Sequence, residues 1–333
     1  MAQFWFVFGI LLIVTILAGI ITVTARYARD IRAARQRIER LGSQVIETSC
    51  GPMEYACLGE GYPLLVVHGA MGGFDQGLWV AHSFDITNYQ VIAVSRFGYL
   101  RSPVPPGANL TMQADAFASL LDTLGIRQAA IFGVSAGSTA AIRFTARYPE
   151  RVSSLVLIGP DAPGETYMTL PPRFVFDKLL RSDFIYWMLI TFFGNWMQTK
   201  FSLRPKGYNL TLENQAMLKK VQTGNLPVSR RMDGMICECY TLDGEFKASI
   251  TPSSPYPLNQ IQTPALVVSA ADDPISLPAN VRSLAEQMPN ARLFVVPDGG
   301  HFLFGHAEEA SAEVARFLRS HVAEPQKATD VRV

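Results

Sequence analysis

Ile131-Phe132-Gly133-Val134-Ser135-Ala136-Gly137-Ser138 reads as a strand running into a G-x-S-x-G pentapeptide and out into a helix. Ala129 to Phe132 is apolar and of strand length. Ser138 to Arg147 is rich in alanine and stops just before Pro149, as a helix does when a proline follows. Between them the chain must turn sharply. Gly133 and Gly137 carry no β-carbon, so strand and helix can crowd around Ser135. Such a turn lifts a hydroxyl off the end of a sheet and sets it near a helix N-terminus, where backbone N–H groups gather. The pentapeptide alone is a modest signal, because small residues recur in ordinary turns. Its weight comes from what lies far from it along the chain.

Upstream, Gln44 to Ser49 and Met53 to Leu58 are strand-like and joined by Cys50-Gly51-Pro52, a hairpin signal. Leu64 to Val67 is wholly apolar, as in a sheet buried on both faces. It leads into His68-Gly69-Ala70-Met71-Gly72-Gly73. Gln90 to Val94 is another such strand, followed by Ser95-Arg96-Phe97-Gly98-Tyr99, and Thr111 is placed to cap a helix from Met112 to Leu124. Downstream, Ser154 to Ile158 is a strand, and the rhythm returns at Ala265 to Ser269, a Pro278 to Met288 helix, Leu293 to Val296 and a closing helix from Glu308 to His321. Strands alternating with helices imply a parallel sheet covered on both faces.

Residues 161–262 lack that alternation. They hold prolines near both ends and a very apolar helical segment, Phe174 to Phe193, with Trp187 and Trp196 nearby. Placed between two core strands, this stretch reads as an inserted helical cap. The expected organisation is therefore a core in two parts, 44–160 and 263–322, with a cap at 161–262 and a polar, frayed tail at 323–333.

The N-terminal stretch is of another kind. Phe4 to Val23 carries no charge, and twenty helical residues at about 1.5 Å each match the roughly 30 Å hydrocarbon core of a bilayer. A secretory signal wants positive charge ahead of a shorter apolar run, and Met1-Ala2-Gln3 has none. We expect a single-pass membrane anchor at 1–25. A basic juxtamembrane helix at 26–43 follows, with Arg26, Arg29, Arg32, Arg35, Arg37 and Arg40 against Asp30 and Glu39. By the positive-inside rule this flank, and with it the remaining chain, is expected to stay cytoplasmic. The arginines suit either a helix leaning on anionic lipid or a solvated stalk.

Composition narrows the classes. The 333 residues are 49% hydrophobic with a formal net charge of +1, so no basic surplus points to nucleic acid. The four cysteines, Cys50, Cys57, Cys237 and Cys239, are too scattered for a disulfide framework. Without histidines at ligand spacing, Cys237 and Cys239 make a poor zinc site. No metal or organic cofactor is implied.

A serine hydroxyl is a weak nucleophile until a base takes its proton, and a histidine base is usually oriented by a carboxylate. Of five histidines, His301 follows the last strand in Pro297-Asp298-Gly299-Gly300-His301, at the sheet end where Ser135 is expected. His68 shapes its own glycine-rich loop, His306 opens the last helix as a surface or packing residue, and His321 sits within that helix. For the carboxylate, Ala270-Ala271-Asp272-Asp273-Pro274 follows a strand: Asp273 is the first choice, Asp272 the second and Asp161 the third. An oxyanion formed at Ser135 needs preorganised donors. The N–H of Ala136 is one, and the N–H of Ala70, in the loop after Leu64 to Val67, is the other.

Oxyanion loop, serine elbow, acid and histidine thus occur in that order, each just after an expected strand. In His68-Gly69, Ser95-Arg96-Phe97-Gly98-Tyr99 with Ser102, Gly133-Val134-Ser135-Ala136-Gly137, Asp273-Pro274-Ile275 and Gly300-His301, the chain resembles the α/β-hydrolase family over about Gln44 to His321. The resemblance implies an eight-stranded, mostly parallel sheet, a cap after the sixth strand and a Ser–acid–His triad in this order. It looks closest to the capped branch holding proline iminopeptidases, carbon–carbon bond hydrolases, esterases and acylglycerol lipases. Relatives that open epoxides or remove halides use an aspartate where this chain has Ser135, which argues against both. The expectation is an acyl hydrolase acting on a small-molecule, lipid-like acyl substrate. An aminopeptidase using Glu238, Asp243 or Glu245 to hold an amine, a carbon–carbon bond hydrolase and a non-catalytic membrane-anchored binding protein stay as alternatives.

Overall fold

The computed structural model describes residues 1–164, 172–203, 207–242 and 258–321. Eight strands form one sheet: β1 (Gln44–Thr48), β2 (Gly51–Leu58), β3 (Pro63–Val67), β4 (Gln90–Val94), β5 (Ala129–Val134), β6 (Val152–Ile158), β7 (Ala265–Ala270) and β8 (Ala291–Val296). Their spatial order is β1-β2-β4-β3-β5-β6-β7-β8. β2 pairs antiparallel with β1 and β4, and every other pairing is parallel. The ends of β3, β5, β7 and β8 therefore share one rim of the sheet, and the loops leaving them meet there.

Helix α1 (Ala2–Arg40) precedes the sheet; α2 (Phe74–Ser83), α3 (Leu110–Thr123) and α4 (Gly137–Arg147) connect its strands. Between β6 and β7 lie α5 (Arg173–Val175), α6 (Asp183–Phe192), α7 (Gly194–Lys200), α8 (Leu212–Gly224) and α9 (Met232–Cys237). Finally, α10 (Pro278–Gln287) follows β7 and α11 (Ala307–His321) follows β8.

The strand runs are apolar throughout because both faces are covered. On one face Leu65, Val67, Ile92, Val94 and Ile131 pack with Phe117 and Leu121 of α3, Ile142 and Phe144 of α4 and Leu284 of α10. On the other, Leu64, Val66, Ala93 and Phe132 pack with Phe74 and Leu78 of α2 and Val314 and Phe317 of α11. Burying such side chains is worth about 1.5–3 kcal/mol each, which makes the sheet the rigid platform for its rim loops.

Three local expectations change. Thr111 does not cap α3; Asn109 does, its side chain accepting the Met112 N–H at 2.8 Å from an extended backbone. The apolar run Phe174 to Phe193 is not one helix. It breaks after the π-helical turn Phe176–Leu180, and Ser182 starts α6 afresh by accepting the Ile185 N–H at 3.3 Å. The apolar N-terminal segment and the arginine-rich segment are one continuous helix, because no proline or glycine interrupts residues 20–40 apart from Gly19 just before them. Of the cap carboxylates considered for an amine, Asp243 and Glu245 lie outside the described residues, as does the tail from 322 onward.

The cap has its own apolar centre. Tyr186, Trp187, Met197, Leu226, Val228, Met232 and Ile236 bury one another together with Ile31 and Ala34 of α1. Ile31, Ala34 and Ile38 recur at helical spacing and are the buried residues of α1.

Candidate active site

At the end of β5 the backbone turns through Ser135 with φ of 49°, a left-handed conformation uncommon for a residue with a side chain. Such a residue costs of order 1–3 kcal/mol and persists only where its surroundings enforce it. Here the Ser135 N–H donates to Ile158 O at 2.9 Å, and Ser135 O accepts from the Ser138 N–H at 2.9 Å and the Asp161 N–H at 3.3 Å. A β-carbon on Gly137 would collide with the carbonyl oxygens of Val67 and His68, and one on Gly133 would press on Ala141 and Ser138. The glycines of the pentapeptide are thus steric requirements of the turn.

The Ser135 hydroxyl meets His301 Nε2 at 3.0 Å, and His301 Nδ1 meets Asp273 Oδ2 at 2.9 Å. These residues are 166 and 28 positions apart in the chain; the shared sheet rim brings them together. Asp273 is buried. Its Oδ1 accepts the Ile275 and Ser276 N–H groups at 2.8 and 2.9 Å, which leaves Oδ2 aimed at the imidazole. With Nδ1–H donating to that carboxylate, Nε2 presents its lone pair to the serine. Burial works against an imidazolium here, but the charge of Asp273, its hydrogen bond and the charge of Asp161 outweigh it and raise His301 above the ordinary imidazole value.

The neighbouring Asp272 does something else. Its Oδ1 accepts the Gly300 N–H at 2.8 Å and so fastens the histidine loop to the acid loop. Asp161 reaches His301 through its charge, while its backbone N–H is engaged with Ser135 O and Ser138 Oγ.

The loop after β3 passes directly over the serine: a β-carbon on Gly69 would lie 3.1 Å from Ser135 Cβ. Gly69 O accepts from His68 Nδ1 at 2.7 Å, Arg96 Nη2 at 3.1 Å and the Gly72 N–H at 3.3 Å. In a trans peptide the C=O and the following N–H point opposite ways. Holding Gly69 O therefore fixes the direction of the Ala70 N–H. Among the described residues no hydrogen bond engages the N–H of Ala70 or Ala136, so both are open to an acceptor.

Residues 62–307 match the alpha/beta hydrolase fold family. The chain belongs to that family. This α/β-hydrolase is 29% identical over 254 residues to the 2-hydroxy-6-oxononadienedioate/2-hydroxy-6-oxononatrienedioate hydrolase of Burkholderia vietnamiensis, covering 71% of this chain and 79% of that protein. It is also 29% identical over 210 residues to the poly(3-hydroxyalkanoate) depolymerase of Ectopseudomonas oleovorans, covering 61% of this chain and 65% of the depolymerase. An alpha/beta hydrolase fold protein from Nakamurella multipartita superposes with a TM-score of 0.66 at 25% identity, covering 84% of this chain and 99% of that one. The fold is shared too with an esterase from Thermogutta terrifontis, at a TM-score of 0.60 and 22% identity over 85% of this chain and all of that one (100%). The relatives are hydrolases, and so is this enzyme.

His68, His306 and His321 of the α/β-hydrolase take partners other than Ser135. His68 is fully buried; its Nε2 accepts the Arg96 N–H at 3.0 Å, and burial with the Arg96 charge holds it well below the ordinary imidazole value. It is a neutral strut for the loop after β3. His306 bridges Asp298 and Glu309 at the surface, and His321 bonds back to Phe317 O within α11.

Two contributors escape a reading of the sequence. Ser276 donates to Gly159 O at 2.7 Å and lies 3.3 Å from His301 Nδ1, a second oxygen beside the acid. Arg96 is buried and paired at 2.9 Å with Glu238, to which Tyr99 also donates at 2.5 Å. The Ser95-Arg96-Phe97-Gly98-Tyr99 motif signalled the core half of that cluster, and Glu238 stood out only as a cap carboxylate for a substrate amine; nothing in the sequence paired it with Arg96.

Proposed function

We propose that the protein is a membrane-anchored serine hydrolase that cleaves an ester or related acyl bond through an acyl-enzyme. The observation that carries this reading is the unbroken chain from Ser135 Oγ to His301 Nε2 at 3.0 Å and from His301 Nδ1 to Asp273 Oδ2 at 2.9 Å. Ser135 attacks the acyl carbon while His301 takes its proton, and Asp273 holds the imidazole in its tautomer and balances the imidazolium. The Ala70 and Ala136 N–H groups take the developing oxyanion. His301 then returns the proton to the leaving group, activates a water molecule and releases the acid product.

Anchoring rests on α1, whose apolar stretch is long enough to cross a bilayer and wholly exposed. The arginines that follow it favour a cytoplasmic catalytic domain. The apolar cap favours a substrate with a lipid-like acyl chain.

Carbon–carbon bond cleavage is a second reading, favoured by the name of the Burkholderia relative. A dicarboxylate of the kind that name describes asks for free cations near the serine. The buried arginines beside the oxyanion loop are committed, Arg96 to Glu238 and Arg231 to Asp75, which favours a neutral acyl group. Arg96 and Tyr99 both bond Glu238 Oε2 and leave Oε1 without a partner among the described residues; the charge of that carboxylate is already balanced by Arg96, which disfavours a substrate amine there. A series of acyl esters of rising chain length, assayed beside a vinylogous diketone acid, tests the choice. Turnover should rise with acyl length and greatly exceed that of the diketone; a steady fall with chain length would overturn the lipid-like preference, and a faster diketone would overturn ester hydrolysis.

A further inference from the structure

Helix α1 does not end where its charge-free stretch ends; it continues into the body of the enzyme. Contact with the cap begins at Val23 and Tyr27. The Tyr27 ring packs edge-on against Phe184 at 5.1 Å and Trp187 at 5.5 Å. One turn further, Asp30 Oδ2 accepts from Trp187 Nε1 at 3.0 Å. Arg37 then donates to the carbonyls of Gly224, the last residue of α8, and Leu226 just beyond it, at 2.7 and 3.1 Å, where a helix dipole favours a cation. The stem and the cap are one packed unit.

Between them opens a cavity of about 460 Å³. Arg26, Arg29, Arg37 and Lys219 line it; Asp30 is the carboxylate in its wall, and Arg37 is paired behind it with Asp75 at 3.5 Å, which leaves Arg26, Arg29 and Lys219 facing Asp30. Asp30 is already bonded to Arg29 at 2.9 Å and to Trp187, and stands 3.9 Å from Arg26. Lys219 forms no ion pair among the described residues. The cavity thus holds cationic donors in excess of acceptors, with Trp187 and Ile190 supplying apolar wall. Its place along α1 is decisive: Arg26 and Arg29 are the first charged side chains after the apolar stretch. With that stretch across a bilayer they stand at the level of the lipid phosphates. Phe192, Phe193 and Trp196 follow Ile190 closely in the cap sequence and are about half exposed, as aromatic residues at a membrane interface are.

We propose that this cavity binds the phosphate headgroup of an anionic phospholipid, with Arg26, Arg29 and Lys219 as the donors and Trp187 and Ile190 against the glycerol and upper acyl chain. The proposal rests on the anchoring reading above and adds a ligand to it. Each cation near an anionic surface contributes on the order of 1 kcal/mol. Removing two should therefore weaken the headgroup about 10- to 30-fold.

The test uses the full chain in a neutral detergent. Its thermal midpoint is followed with dihexanoyl phosphatidylglycerol, dihexanoyl phosphatidylcholine, glycerol phosphate and inorganic phosphate. At about ten times its dissociation constant, phosphatidylglycerol should raise the midpoint by about 3 °C, less at high salt, with phosphatidylcholine inert. The shift should fall to about a third or less at that concentration in Arg26→Gln/Lys219→Gln, whose turnover of a soluble ester stays at the starting level. Equal shifts from both phospholipids, or an undiminished shift in the double variant, would overturn the site. An equal shift from inorganic phosphate would overturn a lipid as its occupant. Carbonate extraction of cell membranes separately tests anchoring. Protein that stays in the membrane while phosphatidylglycerol fails to discriminate leaves the anchor standing and removes the headgroup site; protein released by carbonate removes the anchor itself.

Discussion

Glu238 of the cap and Arg96 of the core form a buried ion pair at 2.9 Å, and the same Arg96 Nη2 lies 3.1 Å from Gly69 O. Arg96 thus touches both the cap and the peptide whose other side is the Ala70 N–H. Glu238 opens the π-helical turn Glu238–Leu242 that continues α9, a distortion often found at functional positions. If the pair positions the oxyanion donor, Glu238→Gln weakens transition-state binding more than substrate binding. A lost oxyanion donor costs about 10²–10³ in kcat; a loosened one should cost about 10- to 100-fold, with KM moved less than about threefold. Steady-state kinetics on a soluble ester check this. A KM increase at constant kcat would place Glu238 in substrate binding instead.

The two adjacent aspartates should separate cleanly by mutation. Asp273→Asn deprives His301 of its charged partner, and serine triads lose about 10⁴-fold in kcat for that change. In Asp272→Asn the side-chain carbonyl still accepts the Gly300 N–H, so kcat should fall less than about fivefold. Parallel kcat measurements decide. A larger loss at Asp272 than at Asp273 would reverse the assignment.

In the proposed mechanism His301 must be neutral to accept the Ser135 proton. Its titration is raised by Asp273 and Asp161 against the effect of burial. The acid limb of the kcat/KM profile should therefore rise through a midpoint above the ordinary imidazole value of about 6.5. In Asp273→Asn the limb should move to lower pH while the plateau drops. The sign for stability is the reverse: a raised folded-state pKa favours the fold below the unfolded value, and that contribution fades as pH climbs through the raised one. A wild-type limb at or below about 6.5 would contradict the charge assignment.

Much of this site was legible because the fold puts chemistry just after strands. Ser135, His301 and the Ala70 loop each follow a short apolar run, and a parallel sheet sends such ends to one rim. Asp272 and Asp273 were harder, since both sit in the same turn and only side-chain direction separates them. The Arg96–Glu238 pair was out of reach: its members are 142 residues apart, and charged residues read by default as surface. The docking of α1 on the cap was not expected: the arginines suited a lipid-leaning helix or a solvated stalk. Ile31, Ala34 and Ile38 recur at helical spacing between the arginines, but no local pattern names Trp187 as the partner of Asp30. Asn109 displaced Thr111 as a cap because two good capping residues stood two positions apart, and only backbone geometry chooses between them.

Every role assigned to the site depends on Ser135 being an activated nucleophile. Intact-mass analysis of the full chain after exposure to a fluorophosphonate measures that most directly. A single phosphonyl adduct is predicted, mapped to the peptide bearing Ser135, absent in Ser135→Ala and formed at least about 100-fold more slowly in His301→Ala. No adduct on the folded wild-type protein, or an adduct that persists in Ser135→Ala, would contradict the account.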